Sequence, residues 1–143
     1  MKSNKTLKKE MNINATQAEV WKALTDPIAL KQMMFGCDIV TSWEIGSEIL
    51  FKGQWEGKEF IDKGHILNFE EGKSYAYDYW STFSGLSDSP ENYSTIAFEL
   101  EETNNGTLLY LEQRNFATET AYEHSDKNWD QALGVLKEML EKQ

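Results

Sequence analysis

Two periods divide the chain. From Gly46 to Phe116, apolar and polar residues alternate in stretches broken by turn signals, whereas near both ends the apolar residues recur at helical spacing. In EILFKGQWEG, Ile49, Phe51, Gly53 and Trp55 share one side, and Leu50, Lys52, Gln54 and Glu56 the other. That is the pattern of a strand with one buried face. Gly57-Lys58 predicts a hairpin turn into EFIDKGHILNF, and Glu70-Glu71-Gly72-Lys73 turns the chain into SYAYDYWSTF, Ser74 to Phe83. The longest polar loop, GLSDSPENY, runs from Gly85 to Tyr93. STIAFELEE and GTLLYLEQRNF form a hairpin across Thr103-Asn104-Asn105-Gly106, whose Asn-Gly pair suits a tight turn. In it Ile96, Phe98 and Leu100 match the face of Leu109 and Leu111.

Ahead of these strands, TLKKEMNINA alternates loosely and reads as another. In TQAEVWKAL, Thr16 and Glu19 have capping-box spacing, and Val20, Ala23 and Leu24 make a helical stripe. Asp26-Pro27 stops that helix and starts a short second one, PIALKQMMF. At the other end, Trp129, Ala132, Leu133, Leu136 and Leu140 line one stripe of a long helix. Its start is open among Thr118, Ser125 and Asp126. A meander of about six antiparallel strands with one apolar face needs a cover. The expectation is an α+β fold: a curved sheet gripping the C-terminal helix, with the two short helices closing one end. Where sheet and helix part, a pocket has room to form. With no repeat, linker or low-complexity segment, residues 1–143 read as a single domain.

Charge narrows the partners. The net charge of −10 leaves no basic stripe for phosphates outside a few N-terminal lysines, so nucleic acid and anionic membranes are not expected partners. No apolar run approaches the roughly 18 residues of a membrane helix, and MKSNKTLKKEMNINA has no apolar signal core. The one cysteine, Cys37, rules out an internal disulfide and suits a reducing compartment, so a cytoplasmic location is expected. Monomer and homodimer both remain open. His65, His124 and Cys37 have no metal-ligand spacing, and neither a phosphate loop nor a nucleophile turn is present. No metal or cofactor is expected.

Four phrases in order carry a resemblance: TQAEVWKALTDPIALKQMM, IGSEILFKG, KGHILNFEEGKSYAYDYW and NWDQALGVLKEMLE. Together they resemble the START-like, SRPBCC superfamily over about Leu7 to Glu141. More narrowly they are similar to the family named for the C-terminal domain of the activator of the ninety-kilodalton heat-shock chaperone's ATPase. The resemblance implies a helix-grip fold with a cavity between sheet and long helix, often used for apolar or amphipathic small molecules. It implies diverse functions as well, because fold does not dictate activity. There is no room here for the extra N-terminal domain of full chaperone activators. Met33-Met34 stand where many relatives place tryptophans, and Gln113 where they often carry histidine.

In the resembling sequences the face of Tyr75, Tyr77 and Tyr79 is the inward one. Three inward hydroxyls are odd for a plain core, because an unpaired one costs roughly 1–3 kcal/mol. A partly hydrated pocket wall would satisfy them with water or ligand; an ordinary core is the alternative. The candidate contacts are Met34, Phe51, Trp55, Tyr75, Tyr77, Tyr79 and Phe98, with Gln113 and the tyrosine hydroxyls fixing orientation. Methionine at Met33 or Met34 suits a mouth of irregular shape, or simply fills the short helix. Trp129 is expected to anchor the long helix. Strict alternation puts Asp62 on the apolar face with Phe60 and Ile66; the preferred expectation is a bulge beside Gly64 that turns Asp62 out to water. The leading expectation is therefore a binding protein for a small hydrophobic ligand rather than an enzyme. The alternatives are a stress-related modulator of a chaperone partner, and a cyclase- or dehydratase-type enzyme using Asp62 or a tyrosine as acid.

Overall fold

The structure, a computed structural model, describes residues 5–82 and 84–141, the Trp55 side chain excepted. Phe83 and the expected Trp55 contact therefore lie outside the described residues. The alternating segments become β1 (Leu7–Ile13), β3 (Glu48–Trp55), β4 (Lys58–Glu70), β5 (Ser74–Tyr79), β6 (Ser94–Thr103) and β7 (Gly106–Arg114). A further strand, β2 (Asp38–Thr41), pairs with β3 through Ile39 opposite Phe51 and brings the sheet to seven strands, one more than the sequence predicts. DIVT is too short for its alternation to show. The sheet is antiparallel throughout, in the order β1-β7-β6-β5-β4-β3-β2.

The helices are α1 (Gln17–Thr25), α2 (Pro27–Met33) and α3 (Glu119–Glu141). Each begins where side-chain chemistry starts it. The Glu19 N–H donates to Thr16 Oγ1 at 3.1 Å, and the Thr16 N–H donates back to the Glu19 carboxylate at 3.0 Å, a complete capping box. Asp26 caps α2 ahead of Pro27. The open start of α3 is decided by Thr118, whose Oγ1 accepts the Ala121 N–H at 3.0 Å. The β3–β4 hairpin turns on Glu56 and Gly57, at φ 52° and 81°. Two positive central φ values give the twist that suits a two-residue hairpin, one residue earlier than the Gly57-Lys58 expectation.

The expectation for Asp62 is overturned. Asp62 points inward and is 4% exposed. The irregularity in β4 lies between Ile66 and Asn68, four residues further along than Asp62 and beyond Gly64. Gly64 serves close strand approach instead: a Cβ there would sit 1.7 Å from the Asp78 carbonyl oxygen. Alternation thus runs unbroken from Phe60 to Ile66, and carries the carboxylate inside.

Helix α3 lies across β1, β7 and β6. Trp129 meets Phe98 edge-on at 5.6 Å, and its indole N–H donates to Gln113 Oε1 at 2.7 Å. The Gln113 amide in turn donates to Ser94 Oγ at 3.1 Å, so helix and two strands are tied by a buried polar chain. At the sheet edge Lys9 reaches α3, pairing with Asp126 and with Asp130 at 2.7 Å. Burial works against that ammonium, but the two carboxylates outweigh it and raise its pKa. Helix α2 covers the other half of the same face, against β2 and facing side chains of β3 and β5. No helix among the described residues is long and apolar enough to cross a membrane.

Candidate functional site

Beneath α2 the packing leaves a small void. Leu30, Met33 and Met34 close it from the helix side, Ile39, Ile49 and Phe51 from β2 and β3, Tyr75, Tyr77 and Phe98 from β5 and β6, and Trp43 from the β2–β3 connection. Its free volume is about 10 Å³, room for about one water molecule. The space thus lies under the short second helix. Under α3 the facing side chains, among them Leu109, Leu111, Trp129, Leu133 and Leu136, are buried.

Five of the expected contacts, Met34, Phe51, Tyr75, Tyr77 and Phe98, come together around this void. The tyrosine trio divides. Tyr75 donates to the Leu24 carbonyl at the end of α1 at 2.9 Å, and so locks a helix to the sheet. Tyr79 donates to Asp62 Oδ2 at 2.5 Å. Tyr77, 3% exposed, makes no hydrogen bond to any other described residue. Among the described residues no side-chain polar atom is fully sealed without a partner, so the Tyr77 oxygen keeps contact with open space. Burial pushes the phenols of Tyr75 and Tyr77 up, so both stay neutral at ordinary pH. Tyr79 is raised by burial and then by the neighbouring Asp62 charge.

Asp62 sits across from Phe51, beside the void rather than in its wall. Its oxygens take the Tyr79 hydroxyl, the Thr82 N–H at 2.9 Å and the Thr82 hydroxyl at 3.3 Å. Those donors account for the carboxylate without a ligand. Burial, helped by Asp62 and Asp38, raises the half-buried Cys37 thiol, which keeps it a thiol rather than a nucleophilic thiolate. Gln113 stands apart from the void, its amide engaged by Ser94 and Trp129. No group of three His, Cys, Asp or Glu among the described residues could hold a metal ion.

Sequence reasoning missed Trp43, which packs on Tyr75 at 4.8 Å between ring centroids. It sits at φ 63° in TSWEIG, a connection with neither period, so no pattern marks it as inward. Ile49 was legible as an inward strand residue and not as wall, while Leu30 and Ile39 carried no sequence signal of their own. The chain leaves α2 through Phe35 and Gly36, both left-handed at φ 59° and 87°, with the Phe35 ring largely exposed. The closing residues of the void therefore end in flexible methionines and a tight turn, with the exposed Lys31–Asp38 pair at 3.0 Å joining α2 to β2.

A family model described as activator of Hsp90 ATPase homolog 1-like protein matches residues 14–141. Among solved structures, a Cytophaga hutchinsonii protein determined in solution superposes with a TM-score of 0.84 at 38% identity, over 99% of this chain and 97% of its own. A Mesorhizobium loti protein reaches 0.79 at 22% identity, covering 96% and 98%. The Aha1 dimer from Colwellia psychrerythraea reaches 0.73 at 22%, covering 95% and 96%. The last two likenesses show the fold alone. No protein of curated function matches the sequence.

Proposed function

This chain belongs to the activator of Hsp90 ATPase homolog 1-like family, and from that premise we propose that it binds a small apolar or amphipathic molecule beneath α2, without catalysing a reaction on it. The observation that carries the reading is the Tyr77 hydroxyl, which stands in an apolar wall, makes no hydrogen bond to another described residue and keeps contact with open space. A core built only for stability has no use for that group, since sealing the hydroxyl without an acceptor would cost roughly 1–3 kcal/mol. Met33 and Met34 make room by changing rotamer, as unbranched thioethers do at low cost. The void therefore opens towards α2 when occupied. Native mass spectrometry of the protein from its own cells tests this. An extra small mass, lost on denaturation, is expected. A bare mass, together with no thermal stabilisation by any of a panel of neutral aromatic and aliphatic amphiphiles, overturns it.

A second reading, suggested by the family's description, is a contact with an Hsp90-type chaperone. It is favoured by the outer sheet face, where Glu10, Glu99, Glu101 and Glu112 project from β1, β6 and β7 and would meet a basic surface. Unchanged ATPase activity of such a chaperone in the presence of this protein removes it.

A further inference from the structure

The wall of the void is chemically one-sided. No charged side chain lines it, and only Trp43, Tyr75 and Tyr77 among the lining residues carry a polar side-chain atom. Tyr75 has committed its hydroxyl to Leu24. The Trp43 ring is partly exposed at the rim. Among the lining residues with a polar side-chain atom, only Tyr77 is buried with no side-chain hydrogen bond to a described residue, between Phe51 at 5.7 Å and Tyr75 at 6.2 Å. Asp62, the nearby carboxylate, is saturated by Tyr79 and Thr82 and offers no counter-charge.

We propose, building on the small-molecule reading, that Tyr77 is the specificity-determining contact, and that the ligand is an uncharged, largely apolar molecule with one hydrogen-bond acceptor, such as a carbonyl or ether oxygen, placed to take the Tyr77 proton. A charged ligand would lose its hydration with nothing to replace it, a cost no apolar contact recovers. A ligand with no acceptor fits the apolar wall but cuts the Tyr77 hydroxyl off from water unpaired. That asymmetry lets a single hydroxyl discriminate between molecules of equal shape. Burial keeps the phenol protonated, and so a donor. The phenol also stays where it is when Met33 and Met34 move, because it stands on a central strand of the sheet, flanked by β4 and β6.

Three probes of similar size separate the possibilities: acetophenone, which has an acceptor; ethylbenzene, which has none; and benzoate, which is charged. Titrations are read from the methyl signals of Met33 and Met34 and the indole signal of Trp43. The wild type should bind acetophenone on the order of tenfold to a hundredfold more tightly than ethylbenzene. Tyr77→Phe, which removes no hydrogen bond to a described residue, should keep its fold and bind ethylbenzene more tightly than the wild type does while losing the preference. If Tyr77→Phe retains the preference, the role of Tyr77 falls while the binding reading stands. Benzoate binding as tightly as acetophenone overturns the uncharged class. If no probe moves these signals, the small-molecule reading beneath α2 fails, and this inference with it.

Discussion

Two halves of one sheet face are closed in different ways. Under α3, across β1, β7 and β6, aliphatic side chains such as Leu109, Leu111 and Leu136 are sealed, and each polar group is answered within the protein. Trp129 meets Gln113, Gln113 meets Ser94, and Lys9 meets Asp126 and Asp130. Under α2 aromatic rings and thioethers join the aliphatic side chains in the wall, the Tyr77 hydroxyl meets no described partner, and the cover ends at Met34. A buried polar chain fixes one relative position of helix and sheet, because any shift leaves its groups unpaired. Methionine and ring contacts tolerate shifts, since they hold no directional bond. The first half is held by a buried polar chain, whereas the second is tied at its edge by the exposed Lys31–Asp38 pair at 3.0 Å, which water can replace at little cost.

The largest test attacks the locked half. Trp129→Ala removes the anchor and orphans Gln113, so a loss of about 3–5 kcal/mol is expected in denaturant unfolding. A loss below about 1 kcal/mol would mean that α3 is not the lock.

Alkali probes the other half. The folded-state pKa values of Tyr75 and Tyr77 lie above the value of about 10 for the unfolded chain. Below pH 10 both states keep these protons, and the pair adds no pH dependence. Above it only the unfolded chain releases them, so stability falls as pH rises, by about 1.4 kcal/mol per pH unit for each phenol. Lys9, also raised, adds to the loss once its own proton leaves. Tyrosinate absorbance from this pair should therefore appear only with unfolding; a smooth titration of all tyrosines in the folded protein would contradict it.

Gln113→Leu keeps the volume but leaves the Trp129 N–H and the Ser94 hydroxyl unanswered, for an expected loss of about 1–3 kcal/mol. The finest contrast is between neighbours on β5. Tyr75→Phe loses the bond to Leu24 and should cost about 1 kcal/mol, whereas Tyr77→Phe loses no protein bond and should cost less than about 0.5 kcal/mol. Equal costs would erase the distinction between lock and wall.

Much of this was legible beforehand, for local reasons. The Thr16–Glu19 box, the Asp26-Pro27 break, the Asn-Gly turn and the stripe from Trp129 to Leu140 act within a few residues of themselves. Patterns with short range survive in a linear reading. Asp62 was misread because a glycine in a strand suits either a bulge or a close backbone approach. Only the Asp78 carbonyl, from another strand, decides between them. Trp43 was missed because its inward direction comes from a left-handed backbone in a connection. For Gln113, alternation supplies the inward direction, and only the position of α3 supplies its partner.

The sequence by itself determined the α+β class, the inward faces of β3, β6 and β7 and the three tyrosines on one side of β5, because strand and helix periods follow from backbone geometry alone. Tertiary structure decided what each tyrosine does. The Leu24 carbonyl, the Asp62 carboxylate and the space beneath α2 are all brought to β5 from elsewhere in the chain, and a hydroxyl's role is set by the atom it meets. Alternation says which way a side chain points; only the packed partner says whether its hydroxyl is tied to a helix, shared with a carboxylate or left facing open space.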